Sequence, residues 1–240
     1  MNDPQGTPRG NGPDIGRRRL FRGVAGGTGV LLSVQAKTAL GGGVCKSPSA
    51  ILSGNTSPRP GDSSVCSGGR SPGFWMQPQH FPHWRVGGVT PPMFNGQVVD
   101  CQSGLGKLKW ADISNHGTTF ASVFGNEPVR VSGVNYPGPA GLWAAMNFKT
   151  DFQGSELLFH IVAAYLNSKY FTSDAARYPL TPAEVVKMYN DTKSGGLYCP
   201  SSFVVQSCPG GGWTASQVVS YIKGMFDIND TVPNLCKANP

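Results

Sequence analysis

Apolar positions are spread unevenly along this 240-residue chain. The densest run is SELLFHIVAAYLNSKYF, residues 155–171, where nine of the ten residues in 157–166 are apolar or aromatic. A helix that is apolar nearly all round belongs inside a domain. The run is too short to cross a membrane, which takes about 20 predominantly apolar residues. Its polar exceptions are Glu156, His160 and Asn167, at offsets of 0, 4 and 11. At 3.6 residues per turn these fall within about 40° of one another, a single narrow polar stripe.

Three further helices follow from local signals. In LTPAEVVKMYN, Thr181 is placed to cap, Pro182 takes the first helical position and Glu184 completes a capping box. This helix should run to about Asn190. A loop follows, with a short strand expected at 203–206. The last helix starts at Thr214 with Gln217 three residues on, and Val218, Val219, Tyr221, Ile222, Met225 and Phe226 fit one apolar face. Residues 138–148, GPAGLWAAMNF, also read as a helix, and TTFASVFG (118–125) as one or two turns ending at Gly125. Residues 42–105 are rich in Gly, Pro and Ser and show no helical period, so they read as extended and loop segments. No internal repeat is present. The expected fold class is mainly α: a small helical domain (106–240) with long Gly/Pro-rich loops, stabilised by disulfides.

Composition sharpens this. The chain holds 33 glycines and 20 prolines, about twice their average usage, which implies many turns and a core modest for the length. Six basic and two acidic residues lie in the first 41, against 14 and 11 in the rest. The formal charge of +7 is therefore concentrated at the start. The remaining basic residues form no run, which argues against a nucleic-acid surface.

The first 41 residues have the three parts of an export signal: Arg17, Arg18, Arg19 and Arg22, then a modestly apolar run at 23–36, then Lys37 and small residues. The apolar run is too short for a permanent membrane anchor. Cleavage fits after Ala36 or after Gly41. Arg18-Arg19-Leu20-Phe21 resembles the twin-arginine motif of bacterial signals. That resemblance implies export of a folded protein, with residues 17–22 engaging the export machinery. Arg22 stands where such signals usually carry leucine, so general secretory export stays open. All six cysteines, Cys45, Cys66, Cys101, Cys199, Cys208 and Cys236, lie after this segment. An even count in an exported chain reads as three disulfides, with 15 possible pairings. The spacing favours a local Cys199–Cys208 bridge.

Few residues point to chemistry. GRSPG (69–73) matches the serine-hydrolase elbow by spelling, but the backbone N–H after the serine belongs to the oxyanion hole and Pro72 has none. No phosphate-binding loop or dinucleotide fingerprint occurs, and no cofactor is expected. His80 and His83 could meet on a turn as a metal pair, yet too few further ligands are available and no metal is expected. Glu156 and His160 are the weak candidates for an acid–base couple, with Asn167 beside them; the competing reading is a satisfied polar network. Trp75, Phe81 and Trp84, with Phe74, form either a ligand platform or a core.

SPGFW after a cysteine, followed by Trp84, resembles the C-x-P-G-[F/Y]-W motif of a group of uncharacterised bacterial exported proteins. HIVAAYLNS and the downstream YPLTPAEVVKMYN resemble that group's paired helices. The pieces cover about a third of the chain. Met76-Gln77-Pro78 replaces the usual Lys-Asn-His, and the cysteine lies farther away. The resemblance implies an exported helical domain and supplies no catalytic residue. The reading is an exported non-catalytic protein with a structural or interaction role in the periplasm, at the cell surface or outside the cell. The alternatives are a secreted hydrolase using Glu156 and His160, and a small-ligand or metal module around residues 80–84. The aromatic cluster should dock on the 157–166 helix.

Overall fold

A computed structural model describes residues 47–53, 68–102, 108–172, 178–200, 208, 211–226 and 233–236. The export-signal segment, Cys45, Cys66 and the strand expected at 203–206 lie outside the described residues.

The central element is the long apolar helix. We number the α-helices α1 (Pro48–Leu52), α2 (Pro72–Trp75), α3 (Phe81–Val86), α4 (Phe120–Phe124), α5 (Leu142–Asn147), α6 (Ser155–Tyr170), α7 (Pro182–Thr192) and α8 (Ala215–Lys223). Short 3-10 turns occupy Pro78–His80, Trp110–Asp112 and Lys149–Asp151. Ten of the sixteen residues of α6 are buried, as its all-round apolar character requires. Helices α7, α8, α5, α2 and α3 pack around it.

The predicted caps explain α7 and α8. Thr181 Oγ1 accepts from Glu184 N, with Pro182 at the first position. The expected capping box is not completed, because the Glu184 carboxylate does not accept from Thr181 N and instead accepts a hydrogen bond from the Tyr198 hydroxyl. Thr214 and Gln217 form the full reciprocal capping box, and Val218, Val219, Tyr221 and Ile222 are buried. Helix α4 is capped by Thr119 and ends at Gly125, whose φ of 84° suits a residue without a Cβ.

Two expectations are corrected. The fold is not clearly mainly α: helix takes 48% and strand 9% of the described residues. Strands β1 (Met93–Phe94) and β2 (Ile113–Asn115) form a small antiparallel sheet, and isolated bridges such as Tyr198–Trp213 and Arg130–Phe152 tie loops together. Frequent glycine and proline cut the helices short, so irregular backbone supplies much of the packing. The second correction concerns residues 42–105, which carry three short helices and a 3-10 turn rather than loop alone. Helices of four to six residues have no period to detect. Proline lies in the first turn of all three, and serine caps the first two, Ser47 before Pro48 and Ser71 before Pro72, while the third has no side-chain cap. Burial of Trp75, Phe81 and Trp84, each at most 1% exposed, then holds them.

Both sides of position 105 share one core. Trp75, Phe81, Trp84 and Phe94 belong to the same apolar cluster as Trp143, Leu158, Ile161, Val185, Trp213 and Ile222. Gly69 makes this closure possible, since its backbone bridges to Phe226 and a Cβ there would overlap Met225 O. Two disulfides join described cysteines: Cys199–Cys208, as the spacing favours, and Cys101–Cys236, across 135 positions. Among the described residues no helix is long and apolar enough to cross a membrane.

Candidate functional site

The polar stripe of α6 divides into two separate environments. Glu156 lies near the helix start with a largely exposed side chain, and pairs with Lys149 Nζ at 2.8 Å and with Lys223 Nζ at 3.9 Å. The hydrogen bond from Lys149 holds the Glu156 carboxyl below its usual range. His160, one turn on, is 5% exposed, and its Nε2 stands 3.5 Å from Glu156 Oε2. Burial, with Lys223 nearby, pushes the His160 imidazole down to about 4, so the ring is neutral near pH 7. Its Nδ1 is buried with no hydrogen-bond partner among the described residues.

Asn167 does not join this pair. Eleven residues of helix place it about 16 Å along the axis from Glu156, so a shared face is not a shared site. Its Oδ1 accepts from Arg70 N at 2.8 Å and from Trp75 Nε1 at 3.2 Å, while Nδ2 donates to Arg70 O at 2.9 Å. The amide thus imitates a strand partner for residue 70 and clamps the segment leading into α2. The aromatic cluster docks on α6 as expected, at the helix's last turn rather than across 157–166: Trp75 contacts Tyr170, and the Gly87 backbone lies close to Lys169.

Trp75, Phe81 and Trp84 are core. Trp75 Nε1 is bonded to Asn167, and Trp84 Nε1 donates to Trp75 O at 3.1 Å. Their burial leaves no platform for a ligand. The histidines do meet. The His80 ring stacks on Phe74 with centroids 3.6 Å apart, and His83 lies 5.6 Å from both rings. His83 is 2% exposed, and its Nε2 donates to Pro233 O at 3.1 Å. Burial lowers His80 to about 4, with His83 and the Arg70 guanidinium adding to the effect, and burial lowers His83 as well. No group of three or more His, Cys, Asp or Glu side chains among the described residues is arranged to hold a metal ion.

The concave surfaces lie elsewhere. One hollow of about 550 Å³ runs between the start of α6 and α8, lined by Glu156, Leu157, Val219 and Lys223 among others. A second, about 630 Å³, is lined by Glu127, Val129, Gln153, Leu157, Tyr189 and Lys193 among others. The two share Gly154 and Leu157. Most of the second hollow's residues come from loops whose sequence carries no motif, and only the fold assembles them.

A third cluster also has no signature in the sequence. Trp110 and Tyr136 stack 4.3 Å apart with planes 7° from parallel, and the Arg130 guanidinium sits 5.4 Å from the Trp110 ring. Arg130 donates to the carbonyls of Tyr136 and Gly138, and the Tyr136 hydroxyl donates to Asp151 Oδ2 at 2.7 Å. That bond raises the Tyr136 phenol above its ordinary value. The cluster folds the 130–138 loop onto the core.

Comparison of the chain with family models, with curated proteins and with solved structures finds no match. The likeness to exported proteins therefore rests on the quoted motifs alone.

Proposed function

We propose that this chain is an exported, non-catalytic protein with a structural or interaction role in the periplasm, at the cell surface or outside the cell. The observation that carries this reading is the use made of the chemically able side chains. Asn167 clamps residue 70, His83 holds Pro233 O, and Trp75 and Trp84 bond to protein partners. Two disulfides support an oxidising destination. The arginine-rich start, with residues 17–22 as the contact for export machinery, supplies the route. Fractionation with intact-mass analysis tests it. The expected result is a chain outside the cytoplasm, shortened to begin near residue 37 or 42, with its cysteines oxidised. Recovery from the cytoplasm with the first residues intact and free thiols would overturn it.

One observation favours a second reading, a secreted hydrolase. The neutral His160 imidazole lies 3.5 Å from a carboxylate that borders an open hollow, and such a ring can accept a proton. Glu156→Gln and His160→Gln would then abolish turnover of ester or amide substrates. Wild-type protein inert across such a panel removes this alternative.

A further inference from the structure

We propose that residues 233–236 form a strap over the Phe74–His80–His83 ring cluster, released by reduction of the Cys101–Cys236 disulfide. This latch is independent of the export reading and stands on geometry around one turn.

Both ends of the disulfide sit on the Pro78–His80 turn. Cys101 N donates to Pro78 O at 3.3 Å, and Cys236 Sγ lies 3.1 Å from Gln79 O. Among the described residues the strap's other anchor is the hydrogen bond from His83 Nε2 to Pro233 O. A single neutral hydrogen bond holds a chain segment only weakly against its conformational entropy. The covalent bond across 135 positions is therefore what keeps the strap in place.

The two described bridges differ in access. Cys199 is 3% exposed and Cys208 half-buried, whereas Cys101 is exposed and Cys236 half-buried, so only the second bridge has an exposed cysteine. Thiol–disulfide exchange needs a thiolate to reach a sulfur, so Cys101–Cys236 is the bridge an external dithiol meets first. Cys101 also adopts a left-handed backbone, φ 62°, which a residue with a Cβ takes at a cost. Opening the bridge lets that residue relax.

The step balances. A dithiol, as a small molecule or a dithiol exchange protein, attacks one sulfur as its thiolate, and the S–S bond breaks through a mixed disulfide. Two electrons and two protons pass to Cys101 and Cys236, which become thiols, and the reductant leaves as its own disulfide. His83 then loses its cover, and the face of Phe74, His80 and His83 opens. Among the described residues the large side chains of the main core all come from before 227, so that core does not depend on the strap.

The test uses the full chain with the remaining cysteines kept. In Cys101→Ser/Cys236→Ser, His83 should react with diethyl pyrocarbonate at least about ten-fold faster than in the oxidised wild type, read by peptide mass spectrometry. His160, 5% exposed and about 15 Å along α6 from Tyr170, against which His83 packs, is the internal control and should keep its rate. Graded dithiol added to wild type should reduce Cys101–Cys236 before Cys199–Cys208. The proposal is overturned if the variant fails to fold, if His160 accelerates together with His83, if His83 stays protected, or if Cys199–Cys208 opens first.

Discussion

Asn167 shows how a residue with the credentials of a site can be architecture instead. Its amide satisfies both backbone groups of Arg70 and the Trp75 indole in a fully buried position. Removing it leaves those partners unsatisfied, which is the expensive side of hydrogen bonding. Asn167→Leu should therefore cost about 2–4 kcal/mol in urea unfolding, whereas a catalytic role alone would leave stability unchanged. The histidines make a second prediction. His80 and His160 are each lowered from 6.5 to about 4, mainly by burial. The unfolded chain binds those protons at higher pH than the folded one, so their contribution is complete above pH 6.5 and is lost as pH falls toward 4. His83 and His116 are lowered in the same direction by burial. Unfolding midpoints measured between pH 7 and 4 should fall, and His80→Gln/His160→Gln should flatten the slope. The spacing of Glu156, His160 and Asn167 was readable as one face. The same offset of eleven also sets an axial separation of about 16 Å; what the sequence did not show is that Asn167 is taken up by Arg70 and Trp75.

At the scale of elements, local chemistry and burial divide the work. Helix α7 begins where Thr181 and Pro182 place it, and α8 where Thr214 and Gln217 place it, because those interactions form within one turn. Thr181→Ala and Thr214→Ala should each cost about 1 kcal/mol, checked by chemical denaturation, with near-additive effects if the two helix starts are independent. Helices α2 and α3 follow a different rule. They are too short to form alone, and their sequence shows only a Ser-Pro start at α2, a proline in the first turn of α3 and a crowd of aromatics. They exist because Trp75, Phe81 and Trp84 are buried against α6 and its neighbours, so reading residues 42–105 for periodicity returns loop. Gly69, just ahead of α2, meets Met225 O so closely that no Cβ fits. Gly69→Ala should destabilise by about 2 kcal/mol, and its denaturation curve is the check.

At the scale of the whole molecule, the segments before and after position 105 form one core. A chain beginning at residue 106 loses Trp75, Phe81, Trp84 and Phe94 from that core. It should show no cooperative thermal transition, and a sharp melt from that fragment would mean that the later helices suffice. The export route, the local Cys199–Cys208 bridge, the buried character of α6 and the caps of α7 and α8 were all read from the sequence; of these, the bridge, the burial of α6 and the cap positions are present in the structure. Those features depend on neighbours a few residues apart, which a sequence displays directly. Tertiary structure alone decided the pairing of Cys101 with Cys236, the partners of Asn167 and His83, the short helices of residues 72–86, and the hollows beside the start of α6. Each depends on residues about seventy to 150 positions apart, or on side chains with no motif, brought together by burial around one apolar helix.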